Sequence, residues 1–374
     1  MTATTRPLCV VQLVPALDSG GVERSTLEIA AALVGAGHRA IVISEGGRLL
    51  PRLLASGAEH VDLAIGRKSP LSLRHVRALR ARFAQADIVH ARSRFPAWLA
   101  WLALRGMPDG QRPRFVTTVH GLNSPSRYSA ILSRGQRVIC VSETVRAHVL
   151  RHYPRVDPAR LQVIPRGVDA QAFARVAAVD RAGRAAWAMR YPALGGAGPL
   201  LLLPGRGTRL KGHVDAIDLL ARLRSRGLDA RLWMPGVVQS GRARYLRELQ
   251  ARASEAGVDQ ALAMTEATVD MAAAYAASDL VLQLSRKPEA FGRTVIEALC
   301  VGRSVVGWAH GGVGDVLSEL APAGAVAPFD AEALLARAHA MLAQPAPPPV
   351  TMPYSLQAMQ EATLAVYASV MGQA

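Results

Sequence analysis

Two carboxylates eight positions apart, Glu289 and Glu297, stand in the run Pro288-Glu289-Ala290-Phe291-Gly292-Arg293-Thr294-Val295-Ile296-Glu297-Ala298. The run follows an apolar strand pattern and opens a helical one. A carboxylate in the loop and another near the end of the first helical turn can reach opposite ends of an elongated polar ligand. The backbone N–H groups of Phe291, Gly292, Arg293 and Thr294 fall at the helix start, where unpaired donors and the positive end of the dipole favour phosphate. The combination suits a nucleotide sugar. An ordinary helix start with Glu297 as a solvated surface charge uses the same residues.

A second strand-to-helix junction, Gly205-Arg206-Gly207-Thr208-Arg209-Leu210-Lys211-Gly212, brings two cations close together. The planar fork of Arg206 and the point charge of Lys211 can together neutralise a diphosphate without a metal, or simply face water. In the first half of the chain, Arg92 and Arg94 follow the apolar run Ile88 to His90. They are expected to project at a strand rim and bind acceptor phosphates, with pairing to helix ends the alternative. His120 ends another such run and precedes Gly121. His310 precedes Gly311-Gly312, and a structural role is favoured for it.

These residues need two scaffolds. The first series alternates strand and helix from Val10–Val14 through a loop at Asp18-Ser19-Gly20-Gly21, a helix to about Ala36, then Ala40–Ser44, Ile88–His90, Phe115–Val119 and Val138–Val141. This pattern predicts a doubly wound parallel sheet. After a helical stretch at about 170–190, the Gly/Pro-rich segment Pro192 to Pro199 reads as a connection between domains. A second series follows: Leu200–Leu203, a helix at 212–225, Ala230–Met234, a helix at 242–256, Leu280–Leu284, a helix at 294–301 and Ser304–Gly307. The run Gln344 to Pro349 reads as a stiff connector, leading into a last helix at about 355–371. The fold class is therefore α/β, with two Rossmann-like domains, 1–170 and 195–350, facing a central cleft. The C-terminal helix, 355–374, is expected to pack back on the first.

Taken together, these segments resemble the family-4 retaining glycosyltransferases of the GT-B fold. Glu289 and Glu297 match that family's Glu-x7-Glu motif, and Gly205, Arg206, Lys211 and Gly212 its Gly-Arg...Lys-Gly segment. Also similar are Gly20-Gly21-Val22-Glu23-Arg24, Val119-His120-Gly121, Val141-Ser142-Glu143, Val163-Ile164-Pro165-Arg166-Gly167-Val168-Asp169 and Gly311-Gly312-Val313-Gly314-Asp315. Arg166 and Asp315 stand where the family often has Asn and Glu. The resemblance implies a catalytic set of His120, Arg206, Lys211 and Glu289. Glu289 would hold donor-sugar hydroxyls and Glu297 the ribose, while Arg206 and Lys211 neutralise the departing diphosphate. Gly20, Gly21 and Gly205 would allow close approach to the donor, and His120 would face the transferred sugar. The segment His90 to Arg94, followed by Pro96-Ala97-Trp98, is similar to members that build bacterial envelope polysaccharide, particularly lipopolysaccharide core. The implied co-substrate is a nucleotide-diphosphate sugar, a UDP-sugar foremost, with no metal and no other cofactor. The implied acceptor is an anionic saccharide or glycolipid.

Composition agrees with such partners. Half of the 374 residues are hydrophobic and 19% charged, which excludes disorder and fibrous repeats. Residues 1–180 hold 25 Lys+Arg against 12 Asp+Glu, and residues 181–374 hold 19 against 16, so the first domain is the one built for an anion. Aromatics are only 5%, and no aromatic-interleaved basic module supports nucleic acid as the partner. A non-hydrolysing nucleotide-sugar epimerase shares the architecture, but needs an acid/base pair beyond His120 and Glu289. The stretch 72–83 alternates Arg74, Arg77 and Arg80 with Val76, Leu79 and Phe83, as a helix on an anionic membrane does, or one packed on its own sheet. No export or membrane-spanning segment is read in the sequence. Cys9, Cys140 and Cys300 lie far apart in apolar surroundings, as inert thiols in a reducing cytoplasm do. Trp98 and Trp101 read as core residues rather than a sugar-stacking platform.

Overall fold

The computed structural model describes residues 6–18 and 20–372, so Ser19 of the glycine loop and the last two residues of the C-terminal helix segment lie outside it. The chain divides into two compact units, one of residues 1–166 with 356–374 and one of residues 167–355.

The first unit runs β1 (Cys9–Leu13), α1 (Gly21–Gly35), β2 (Arg39–Ser44), α2 (Leu50–Ala55), β3 (Glu59–Asp62), α3 (His75–Phe83), β4 (Ile88–Ala91), α4 (Arg94–Arg105), β5 (Arg114–Val119), β6 (Arg137–Cys140), α5 (Glu143–His152) and β7 (Leu161–Val163). All seven strands are parallel, in the order β3-β2-β1-β4-β5-β6-β7. Val10, Val42, Ile88, Val116 and Ile139 from successive strands join Ile29, Ala30 and Leu33 of α1 in one core. The strands read as near-continuous apolar runs because helices cover both faces of the sheet.

The second unit runs α6 (Arg181–Arg190), β8 (Leu200–Leu202), α7 (His213–Ser225), β9 (Arg231–Pro235), α8 (Ala243–Glu255), β10 (Leu262–Thr265), α9 (Met271–Ala276), β11 (Leu280–Gln283), α10 (Arg293–Val301), β12 (Ser304–Trp308), α11 (Gly311–Leu320), β13 (Ala325–Val326) and α12 (Ala331–Ala343). Its six parallel strands are ordered β10-β9-β8-β11-β12-β13. The last helix, α13 (Leu356–Val370), lies against α1, and its Met359, Val366 and Tyr367 are buried in the first unit's core.

Two segments behave differently from their sequence reading. Pro192 to Pro199 is an internal part of the second unit and does not join the two. The buried Arg184 on α6 donates to the carbonyls of Leu194 at 2.9 Å and Gly198 at 2.6 Å, tying the segment down. The proline-rich run 344–349 is likewise held within the second unit, by Arg175 on the carbonyl of Pro349 and Ser304 on that of Ala346. The chain passes between units at Arg166/Gly167 and again at Ser355/Leu356. The helical stretch expected at 170–190 is helical only over α6.

Within 72–83, helix α3 buries Leu79 and Phe83 and packs on α4, while Arg80 donates to the carbonyl of Ala103 at 3.2 Å. Its apolar face is therefore consumed by the fold, and Arg74 and Arg77 remain exposed.

Candidate functional site

In an open parallel sheet the strand order reverses at one point, and the loops there splay apart to leave a crevice at the strand carboxyl ends. In the second unit this point lies between β8 and β11. The loop after β8 carries Gly205, Arg206 and Lys211, and the loop after β11 carries Glu289, so the topology itself brings the two sequence motifs together.

Lys211 donates from Nζ to Glu289 Oε1 at 2.6 Å, with both side chains about a quarter exposed. The Ser285 hydroxyl donates to the same carboxylate oxygen. Glu289 is held from its backbone side by α11: the N–H of Gly312 donates to the Glu289 carbonyl at 2.8 Å. A Cβ on Gly312 would stand 2.4 Å from the carbonyl of Ala290, so only glycine permits this approach. His310 Nε2 donates to the Ser285 carbonyl at 2.7 Å, which fixes the serine that fixes the glutamate. Arg206 is exposed and pairs with no carboxylate among the described residues. One cation is thus locked in a pair while the other is available to an incoming anion.

Glu297 sits on α10 rather than in solvent, 5% exposed. Arg293 Nε donates to its Oε1 at 2.9 Å and the hydroxyl of the buried Tyr275 to its Oε2 at 3.1 Å. It is therefore a positioned, buried carboxylate and not the surface charge of the alternative reading. The N-terminus of α10 has no side-chain cap at Gly292, and the backbone N–H of Thr294 lies in its first turn, where helix amides lack intrahelical acceptors. The Phe291 ring packs edge-on against Tyr354 at 5.4 Å.

The first unit has its own reversal point, between β1 and β4. Gly20 and Gly21 begin α1 there, again without a side-chain cap. Arg92 follows β4 but does not project from the rim as expected. It is 3% exposed and donates to the Ser25 hydroxyl at 3.2 Å, because α1 crosses directly over it. Arg94 donates to the Ser129 hydroxyl at 3.2 Å and stacks on Tyr128. His90, fully buried, bonds Tyr367 of α13 and Thr118 of β5, both at 2.7 Å.

His120 follows β5, and burial, reinforced by Arg166, Arg92 and His90, holds its pKa well below the usual imidazole value. The Arg166 guanidinium donates to His120 Nδ1. A guanidinium cannot accept, so Nδ1 is the acceptor and the neutral ring carries its proton on Nε2. That Nε2 is buried and has no partner among the described residues. His120 is thereby a neutral hydrogen-bond donor, which the sequence did not show. Arg166 was visible only as a departure from the family's usual Asn, and Ser285 and Tyr275 carried no sequence signal. Burial raises all three cysteine thiols, Cys140 to about 12, so none is a reactive thiolate.

The family model "Glycosyltransferase Family 4" matches residues 19–172, and "Glycosyl transferases group 1" matches residues 192–353. The chain belongs to this glycosyltransferase family. Among solved structures, a glycosyltransferase from Rickettsia africae is 26% identical with a TM-score of 0.86, covering 99% of this chain and 100% of its own. Alr3699/HepE from Anabaena, in complex with UDP and glucose, is 17% identical with a TM-score of 0.78, covering 97% and 100%. WaaG, a glycosyltransferase involved in lipopolysaccharide biosynthesis, is 19% identical with a TM-score of 0.67, covering 96% of each chain. No curated protein sequence matches significantly. Both units of this glycosyltransferase have the parallel Rossmann-like sheets of GT-B structures, and the two family matches, not the shared architecture, favour transfer over the nucleic-acid-binding and epimerase readings. No helix among the described residues of the glycosyltransferase is long and apolar enough to cross a membrane.

Proposed function

We propose that this glycosyltransferase moves a sugar, with retention, from a UDP-sugar to a phosphorylated or lipid-linked saccharide in the building of bacterial envelope polysaccharide, such as lipopolysaccharide core. The observation that carries this reading is the meeting of unpaired Arg206, the Lys211–Glu289 pair and the uncapped start of α10 at one switch point. The bound UDP of the Anabaena structure makes UDP the first nucleotide to test, and the role stated for WaaG supports the envelope reading.

As the anomeric carbon–oxygen bond of the donor breaks, negative charge grows on the diphosphate. Arg206, the spare N–H groups of Lys211 and the amides of Gly292 to Thr294 stabilise that charge, which lowers the barrier without a covalent nucleophile. No metal is required in this scheme. Glu289 orients sugar hydroxyls and Glu297 the ribose. In the retaining step the acceptor hydroxyl forms its bond to the same face of the carbon, and its proton passes to an oxygen of the departing diphosphate. A glycosidase-like scheme needs both carboxylates at one sugar carbon. Here Glu289 belongs to the loop held by α11 and Glu297 to a buried cluster with Arg293 and Tyr275. The neutral Nε2–H of His120 serves as a donor to a sugar hydroxyl. Arg94 and the basic first unit receive the anionic acceptor.

The deciding experiment is a thermal-shift panel of UDP, GDP, ADP, CMP and dTDP without added metal, on the wild type and Glu297→Gln. UDP at 100 times its dissociation constant is expected to add about 2.7 kcal/mol, and the variant to lose most of that gain. A folded sample that responds to no nucleotide overturns the reading.

A further inference from the structure

On the first unit, two adjoining hollows of about 620 Å³ and about 300 Å³ share Trp101 and Arg134. They lie at the edge of the sheet where strands enter. Arg105 ends α4, Arg114 starts β5, Arg134 precedes β6 and Arg160 precedes β7. His120 stands at the other end of β5, six residues and so roughly 20 Å away. The groove is therefore separate from the rim that carries His120, Gly20 and Arg92.

Its charge is one-sided. Among the lining residues Asp109 is the only carboxylate, and it is already paired with Arg112 at 2.9 Å. Arg105, Arg134 and Arg155 have no carboxylate partner among the described residues. Two of these guanidiniums are preorganised, each 4.7 Å from the Trp101 ring, with Arg134 also 6.0 Å from Trp98. Stacking on an indole fixes the plane of a guanidinium while leaving its N–H edge free for an oxyanion. Trp101 and Trp98, which the sequence assigned to the core, are half-buried and act as this support.

The occupant follows from what the groove has and lacks. The large exposed apolar side chains lie elsewhere, Leu71 and Leu73 among them, so the groove has no anchor to enter a bilayer. Trp101 stacks with guanidiniums, which disfavours it as a platform for bases. Oxyanions on a hydrophilic chain fit both constraints. We propose that this groove is an exosite for an anionic saccharide, holding phosphate or carboxylate groups of a glycan chain remote from its reacting end. The inference rests on the reading of the acceptor as an anionic saccharide.

The test is direct binding of a fluorescein-labelled heparin hexasaccharide at about 0.15 M ionic strength, by anisotropy, to the wild type and the double variant Arg134→Glu/Arg155→Glu. Oligo-uridylate RNA and phosphatidylglycerol vesicles serve as contrasting probes. The wild type is expected to bind the hexasaccharide and the double variant to bind it at least about tenfold more weakly. A cooperative melting transition close to that of the wild type, measured without ligand, shows that the variant is folded. If the double variant does not fold, Arg155→Ala alone, an exposed and unpartnered side chain, replaces it with the same expected direction. Equal binding by wild type and variant, no binding by the wild type, or a loss larger for RNA or vesicles than for the hexasaccharide overturns the exosite. Because the readout needs no turnover, a failure of nucleotide binding counts against the donor reading and not against this one.

Discussion

Arg206 and Lys211 are close in sequence and differ in state. Lys211 is neutralised by Glu289, whereas Arg206 stands exposed without a carboxylate partner among the described residues. Under the proposed mechanism, truncating Arg206 costs the fold little and the chemistry much. Arg206→Ala should melt within about a degree of the wild type, since surface changes away from structural features usually stay within about 0.5 kcal/mol. Its turnover should drop about 10²–10³-fold, as when one donor to developing charge is lost. Melting curves and steady-state rates with the donor found by the nucleotide panel check both halves, and an unchanged rate removes Arg206 from the mechanism. At this scale the sequence was informative about residue types and not about protonation. Glu289, Glu297, Arg206 and Lys211 could be singled out by spacing. The proton on His120 Nε2 follows from Arg166, 46 positions away, and no local pattern encodes that contact.

Elements place these residues through tight crossings. Gly212 caps α7 at φ 72°, and a Cβ there would stand 2.0 Å from the carbonyl of Leu284, the residue after β11. This one residue sets how closely the Lys211 loop approaches the Glu289 loop. Gly212→Ala combines left-handed strain with a backbone clash and should destabilise the protein by roughly 1–3 kcal/mol or more. It should also weaken UDP binding by prising Lys211 from Glu289. Urea unfolding and UDP titration read the two effects, and an unaltered protein would show that the loops are not coupled. The central strands and longer helices were legible because buried parallel strands and amphipathic helices have distinct periods. The edges were not. β3, β7 and β13 are short and only partly buried, so no apolar run marks them as it marks the equally short but buried β4, β8 and β11. Pro192 to Pro199 reads as a linker by composition, yet a buried arginine from α6 binds it into the second unit.

At the scale of the molecule, buried imidazoles couple the fold to pH. Burial lowers His90 and His120 well below the ordinary value and His213 to about 4. The unfolded chain takes up protons on these groups near pH 6.5, while the folded chain resists until lower pH. Their stabilising contribution is thus present above about pH 6.5 and is lost as pH falls below it. For His213 alone, the difference down to about pH 4 amounts to about 3 kcal/mol. Melting temperature should therefore be level from pH 7 to 8 and fall steadily toward pH 4.5. His213→Gln should flatten part of that fall, and a melting temperature that rises on acidification would refute the linkage.

By itself the sequence determined the two α/β series, the residue types and spacing of Arg206, Lys211, Glu289 and Glu297, and the concentration of positive charge in the first half. These are local or additive properties, set by periodicity, residue type and count. Only the tertiary structure decided which of those charges stay free. It buried Arg92 and Glu297, left Arg206 in solvent, gave His120 its tautomer, and gathered arginines from α4 through β7 around Trp101. The reason is physical: a side chain's charge state and reach depend on desolvation and on partners brought in by strand order, and strand order is a long-range pairing that no window of sequence contains.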